Sequence, residues 1–343
     1  MRELPFAAAL AALLACAPGA RAEQHVTSGS GADYQPAVLK ADDGTRIVVF
    51  ERLNPSNAFG DLWITRSVDD GDTWSEPVAI MATGANERHP ALVQTGPMQY
   101  VLFYLSDSTG SYRIFRATST DGLAFTEEGP VDLGWPTGGE INPHVIRHAD
   151  GTLTMSYQRP VTGASVYIAE SGDDGVTWDT QETQIAAGAQ LPRVAYRESD
   201  GLYLATYQTG GSQLKMWVKT TSDVHDWTAA PREFAATGDN HDSLPVVMPD
   251  GAFAVFWIRA FGNQYDIAVR RSVDGITWSA PLAVTDTPDA FDVEPHPLVG
   301  ESSSEVELYW GRESPVGSFD YDIVREPAVR VVDDVIFSGS FDG

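Results

Sequence analysis

Beyond residue 25 the apolar positions come in runs of four to six residues rich in Val, Ile, Tyr, Phe and Trp. Gly, Asp and Ser close off each run, which is the grammar of strands joined by tight turns. No stretch in this region places apolar residues at helical spacing. The first set of runs reads Pro36-Ala-Val-Leu39, a turn at Asp43-Gly44, Ile47-Val-Val-Phe50, a polar loop, then Leu62-Trp-Ile-Thr65. The same order returns after Pro90, Pro143, Pro192, Pro245 and Pro297. The pattern predicts six units of four antiparallel strands, opening near residues 36, 90, 143, 192, 245 and 297.

In the first five units the third run leads into one phrase. It reads S-V-D-D-G-D-T-W at Ser67–Trp74, S-G-D-D-G-V-T-W at Ser171–Trp178 and S-V-D-G-I-T-W at Ser272–Trp278. Degenerate copies occupy Ser119–Phe125 and Ser222–Trp227. The starts at 67, 119, 171, 222 and 272 give steps of 52, 52, 51 and 50 residues. A period near 50 marks a stack of similar supersecondary units. Closed radially as a six-bladed β-propeller, such units leave few open sheet edges. Within the phrase, Ser and Asp bond nearby backbone N–H groups and Gly takes a positive φ. The Trp is a large apolar plug. The phrase is therefore expected to be a hairpin staple without chemistry. Asp69-Asp70-Gly71-Asp72 offers carboxylates for a structural calcium, but lacks the alternate ligand spacing of a dedicated loop.

S-x-D-x-G-x-T-W is the Asp box, and the chain resembles the sialidase superfamily over residues 33–330. The resemblance implies a catalytic six-bladed propeller with a glutamate-backed tyrosine nucleophile, an aspartate acid/base and three arginines. Sialidases open the first blade with Arg-Ile-Pro, where this chain has Tyr34-Gln35-Pro36. Tyr309 and Tyr321 are positional candidates for the tyrosine. The departure at Gln35 points to a related exo-glycosidase with a different sugar preference.

Residues 1–22 read as a secretion signal, with an apolar stretch Pro5–Leu14 and a small-x-small site at Ala20-Arg21-Ala22. Secretion or export to a periplasm follows, with residues 23–343 as a single domain. Cys16, the only cysteine, follows Leu13-Leu14-Ala15 as in a lipoprotein box, the alternative use of that leader. Either way the folded domain has no disulfide. The net charge of −26 repels nucleic acid and anionic lipid. No further stretch is apolar over 18 residues, so no membrane span is predicted. A monomer acting on carbohydrate, without a cofactor, is the expectation.

In this architecture the phrase lies on one face of the ring. The segments before each opening proline and after each second run lie on the other. The proline-side segments are Asn86-Glu87-Arg88-His89, Gly139-Glu140-Ile141-Asn142, Asn240-His241-Asp242-Ser243 and Asp292-Val293-Glu294-Pro295-His296. His144 and Arg193 directly follow two of the prolines, and Gln35 precedes the first. The second runs end on Glu51-Arg52, Gln158-Arg159, Ile258-Arg259 and Gly311-Arg312-Glu313. Arginine thus recurs at one position in four units of a strongly acidic chain. Polar loop residues bonding between units would account for any single member, but the set as a whole is the default for an active centre.

Glycosidic cleavage needs a proton donor and a carboxylate opposite it. Glu140, Asp242 and Glu294 are the candidates, with His241 beside them. Arg88, Arg193, Arg259 and Arg312 suit an anionic sugar through bidentate guanidinium bonds. Gln35, His89, Asn142, His144 and His296 complete the binding set. Two other readings stand beside exo-glycoside hydrolysis. One is a uronate lyase, with His or Tyr abstracting the α-proton. The other is a glycan-binding propeller without turnover. The histidines have no short metal-ligand spacing, so no metal site is expected.

Overall fold

A computed structural model describes residues 23–332 except 30, 55, 161–162, 180–181, 212, 236–237 and 263, together with the side chain of 261. The leader and Cys16 lie outside the described residues, as do 333–343. All regular structure in the described residues is β-strand, and none of it is helix. Six units of four strands follow one another, as the apolar runs predict. Their first strands are Ala32–Lys40, Arg88–Gly96, Ile141–Arg147, Ala189–Arg197, Asp239–Val247 and Phe291–Val299.

Units two to five are separate four-stranded antiparallel sheets. Units six and one join through a single parallel bridge, Ala32 with Tyr321. The sequence left open which terminus completes the sixth unit. The N-terminal strand Gln24–His25 does so, pairing antiparallel with Val324 and Arg325. First strands pack in a cycle, each on the next and the sixth on the first. The apolar clusters occupy the seams between neighbouring sheets. In the first seam, Val49 and Ile64 of unit one meet Leu102 and Phe115 of unit two. At the closing seam, Val48 and Phe50 meet Tyr309 and Ile323. Burying each such side chain stabilises the ring by about 1.5–3 kcal/mol.

The phrase forms the staple expected of it. Ser67 Oγ bonds Asp69 Oδ1 at 2.8 Å and accepts the Gly71 N–H at 2.8 Å, while Asp69 accepts the Thr73 N–H at 2.9 Å. Ser171, Asp173, Gly175 and Thr177 repeat this set. Each turn also grips the preceding unit. Arg325 Nη1 donates to the Asp70 carbonyl at 2.8 Å, and Arg116 Nη2 to that of Asp174 at 3.0 Å. A Cβ on Gly71 would lie 1.2 Å from Arg325 Nη1, so glycine is required by crowding as well as by its φ of +81°. In unit four the serine's place is taken by Thr221, whose Oγ1 receives the Asp223 N–H at 3.1 Å. That copy therefore begins one residue earlier than Ser222.

Pairing register corrects the alignment of the units. Every first strand carries a bulge, between Tyr34/Ala37, Arg88/Ala91, Ile141/His144, Gln190/Arg193, His241/Leu244 and Val293/His296. Pro36, Pro90, Pro143 and Pro192 sit inside it, and their counterparts in the last two units are Ser243 and Pro295. Pro245 and Pro297 lie two positions further on, because the bulge and not the proline sets the register.

Candidate functional site

The six bulges place one residue apiece in the left-handed region: Gln35, His89, Asn142, Leu191, Asp242 and Glu294, with φ between 45° and 57°. None is glycine, the usual occupant of such a bulge. Holding a non-glycine residue there costs about 1–3 kcal/mol, and such strain clusters at functional sites. A neighbouring unit holds several of these residues in place. Gln158 Oε1 accepts the Leu191 N–H at 3.1 Å and Gln208 Oε1 accepts that of Asp242 at 3.0 Å. The corresponding position of unit six is Gly311, which has no side chain. There Glu294 itself reaches across, its Oε2 accepting the Gln35 N–H at 2.6 Å and its Oε1 the Gln35 Nε2–H at 2.9 Å.

Four of the six, Gln35, His89, Asp242 and Glu294, line a channel cavity of about 230 Å3 between the first strands. His144, Arg193 and His296, just past their bulges, line it too. A water-sized sphere touches Glu294 from the channel, yet surrounding protein dominates its environment. Burial pushes its carboxyl up to about 8, and the charges of Asp242 and Glu51 add to this against the Gln35 bonds. Asp242 Oδ2 lies 2.7 Å from His241 Nδ1. The imidazole stands edge-on to Tyr265, which packs on Phe291 of the next unit. Burial drives His89 down to about 3 and His296 to about 4, with Arg193 nearby acting in the same direction. His144 is also held well below the ordinary imidazole range by burial and by Arg193.

The remaining predicted residues stand elsewhere. Glu140 is buried between Arg113 and Arg159, at 3.6 and 3.9 Å, and does not line the channel. Asn142 bonds Gln158 Oε1 at 2.9 Å behind the channel wall. The recurring arginine has a reason visible in the ladder: it stands opposite a buried polar residue of the first strand. Arg52 faces Asp33 and bonds it at 2.6 and 2.8 Å, and Arg312 faces Asp292 and bonds it at 2.6 and 3.0 Å. Arg312 also meets Glu23, and Arg259 faces Asn240. Arg88 Nε donates to Glu51 Oε1 at 2.7 Å. Arg52, Arg88 and Arg312 neutralise buried acids where the sheets need them.

Of the two tyrosines, Tyr309 is fully buried and bonds Glu307 at 3.0 Å in the phrase-side network of Arg46 and Arg325. Tyr321 stacks on Tyr34 with ring centroids 4.3 Å apart, and its hydroxyl lies 3.3 Å from Glu313 Oε2. Burial and nearby carboxylates raise both phenols, Tyr34 to about 12, so each stays protonated at neutral pH. Sequence reasoning did not single out Tyr34. Its signal was adjacency to Gln35 at a strained bulge.

Residues 20–195, just over half of the chain, match the BNR repeat-like domain family. The chain belongs to that family. No curated protein matches the sequence. Among solved structures, the chain resembles a protein of unknown function from Dyadobacter fermentans at a TM-score of 0.73 and 15% identity, covering 90% of this chain and 98% of that one. Trypanosoma rangeli sialidase superposes at 0.65 and 15% identity, over 88% of this chain but only 55% of its own. The Penicillium chrysogenum α-L-arabinanase superposes at 0.63 and 16% identity, over 88% and 93%. At these identities the likeness establishes a sialidase-like all-β fold. Among the described residues, no group of three or more His, Cys, Asp or Glu is placed to hold a metal ion.

Proposed function

We propose that the chain is a six-bladed β-propeller acting as a secreted, sialidase-like exo-glycoside hydrolase. Six four-stranded units whose first strands pack in a cycle support the blade count. The observation that carries the activity is the pair Glu294 and Asp242. They occupy the same strained position on adjacent units and line one channel. Glu294, protonated at neutral pH, donates to the leaving oxygen. Asp242, oriented by His241, is the carboxylate that serves the sugar carbon, directly or through water. Tyr321 fits the nucleophile's role less well, because its raised phenol resists ionisation.

Support for an anionic sugar narrows to Arg193, since Arg88 and Arg312 are bonded to carboxylates and Arg259, opposite Asn240, does not line the channel. The 2.7 Å His241–Asp242 contact favours a second reading, a uronate lyase with His241 abstracting the proton. The test is a panel of neutral and anionic exo-glycosides assayed for released sugar and for ultraviolet absorbance. Released reducing sugar without absorbance supports hydrolysis. An unsaturated, absorbing product supports elimination, and no turnover supports glycan binding alone.

A further inference from the structure

Arg193 departs from the pattern of its neighbours. A guanidinium carries five N–H donors. That of Arg193 makes one hydrogen bond, Nη1 to the Pro192 carbonyl at 3.0 Å. Among the described residues no ion pair joins it to a carboxylate within 4 Å, although Asp242 and Glu294 line the same channel and their charges act on it. The other donors have no protein partner among the described residues, and the half-buried guanidinium leaves them open to the channel or its contents.

His144 sits against it from the preceding unit. Its Nδ1 accepts the N–H of Val194, the residue after Arg193, at 3.3 Å. A nitrogen that accepts cannot carry the ring proton, so Nε2 of the neutral ring is a donor, and no protein acceptor bonds it. His296, opposite, is engaged by the backbone of Val38 and Pro36. His89, Asp242 and Glu294 complete the group of titratable residues lining the channel. The cavity of about 230 Å3 is several times the roughly 30 Å3 that one water occupies in the liquid.

We propose that the channel Asp242 and Glu294 share with Arg193 holds an anion-binding site, built by the Arg193 guanidinium and the His144 Nε2–H, for a monoanion of halide or carboxylate size. The geometry is that of a cation with open donors, a neutral donor locked beside it, and room for one small ion with a few waters. The anion supplies a directly bonded countercharge, which Asp33, Asp292 or Glu51 gives other arginines and which Asp242 and Glu294 supply to Arg193 only at longer range. Its uptake favours protonation of the adjacent imidazoles and of Glu294, so affinity rises as pH falls. The proposal stands whether or not the carboxyl pair turns over a glycoside.

The probe is bromide, used on the full chain. Crystals soaked in sodium bromide are expected to give an anomalous difference peak beside Arg193. The thermal midpoint is expected to climb with the logarithm of bromide concentration in the wild type and stay flat in Arg193→Met. Absence of the peak in wild-type crystals overturns the site, and needs no variant to fold. A bromide response that persists undiminished in a folded Arg193→Met also overturns it. Formate then distinguishes the source of the anion. Competition with substrate assigns the place to a sugar carboxylate, whereas binding without competition assigns it to a free ion.

Discussion

Replacing Glu294 by Gln tests the environment on which the proposed acid depends. The carboxyl titrates at about 8 in the folded protein against an ordinary 4.5, chiefly through burial. Between those values the native state holds one proton more than the unfolded chain. This contribution to stability is therefore complete below pH 4.5 and is lost as pH rises through 8. At about 1.4 kcal/mol per pH unit the window amounts to about 5 kcal/mol, an upper figure because channel water screens part of the charge. Gln cannot accept both bonds from Gln35, which costs about 1 kcal/mol at any pH. Near pH 5 the Glu294→Gln variant should thus match wild type to within about 0.5 kcal/mol, since about 0.8 kcal/mol of the wild-type contribution is already lost there, and above pH 9 it should be more stable by up to about 4 kcal/mol. Glu51, raised to about 7 mainly by burial, adds a slope of the same sign to both proteins, and only its repulsion with the Glu294 charge remains in the difference. Urea titrations followed by tryptophan fluorescence at pH 5, 7 and 9 measure this. Stability curves that run parallel across this range would refute the reasoning.

Gly71→Ala should lose about 4 kcal/mol or more in urea unfolding, because the new Cβ displaces Arg325 from its Glu307 contact and strains a positive φ. Gly44→Ala, with φ +90° and no atom within 4 Å of the added carbon, should lose only about 1–2 kcal/mol. Equal losses would show that the phrase does not staple the seam between units six and one. Asp292→Ala should cost about 3–5 kcal/mol, since it strips partners from Trp310 Nε1 at 2.7 Å and from Arg312 in a buried setting. A loss below about 1 kcal/mol would return Arg312 to the list of open, substrate-facing cations.

The repeat was legible because its signals are local. Strand runs, turn residues and the phrase each declare themselves within about eight positions, and six copies reinforce one another. The phrase's place on the face away from the carboxyl residues was legible for the same reason. The bulge register in the last two units was not. Proline is a strong mark in sequence, but the left-handed residue that fixes the bulge can be Gln, His, Asn, Leu, Asp or Glu, so composition does not announce it. Asp242 and Glu294 were found because they stand beside His241 and His296 in polar segments. Glu140, chosen on the same grounds, points into a seam between two arginines. Only the ladder reveals that Arg52 and Arg312 face buried acids across the strand, and Arg259 the buried Asn240. Closure by Gln24–His25 was equally hidden, because a two-residue strand carries no periodicity.

In the proposed hydrolysis Glu294 and Asp242 act together from adjacent units across one channel. Its most direct test is kcat/KM on the best substrate of the glycoside panel for wild type, Glu294→Gln and Asp242→Asn at pH 7. The account predicts that each variant folds and loses about 100-fold or more, as expected on removal of a proton-transfer group or its opposing carboxylate. Turnover within about threefold of wild type in both folded variants would contradict it.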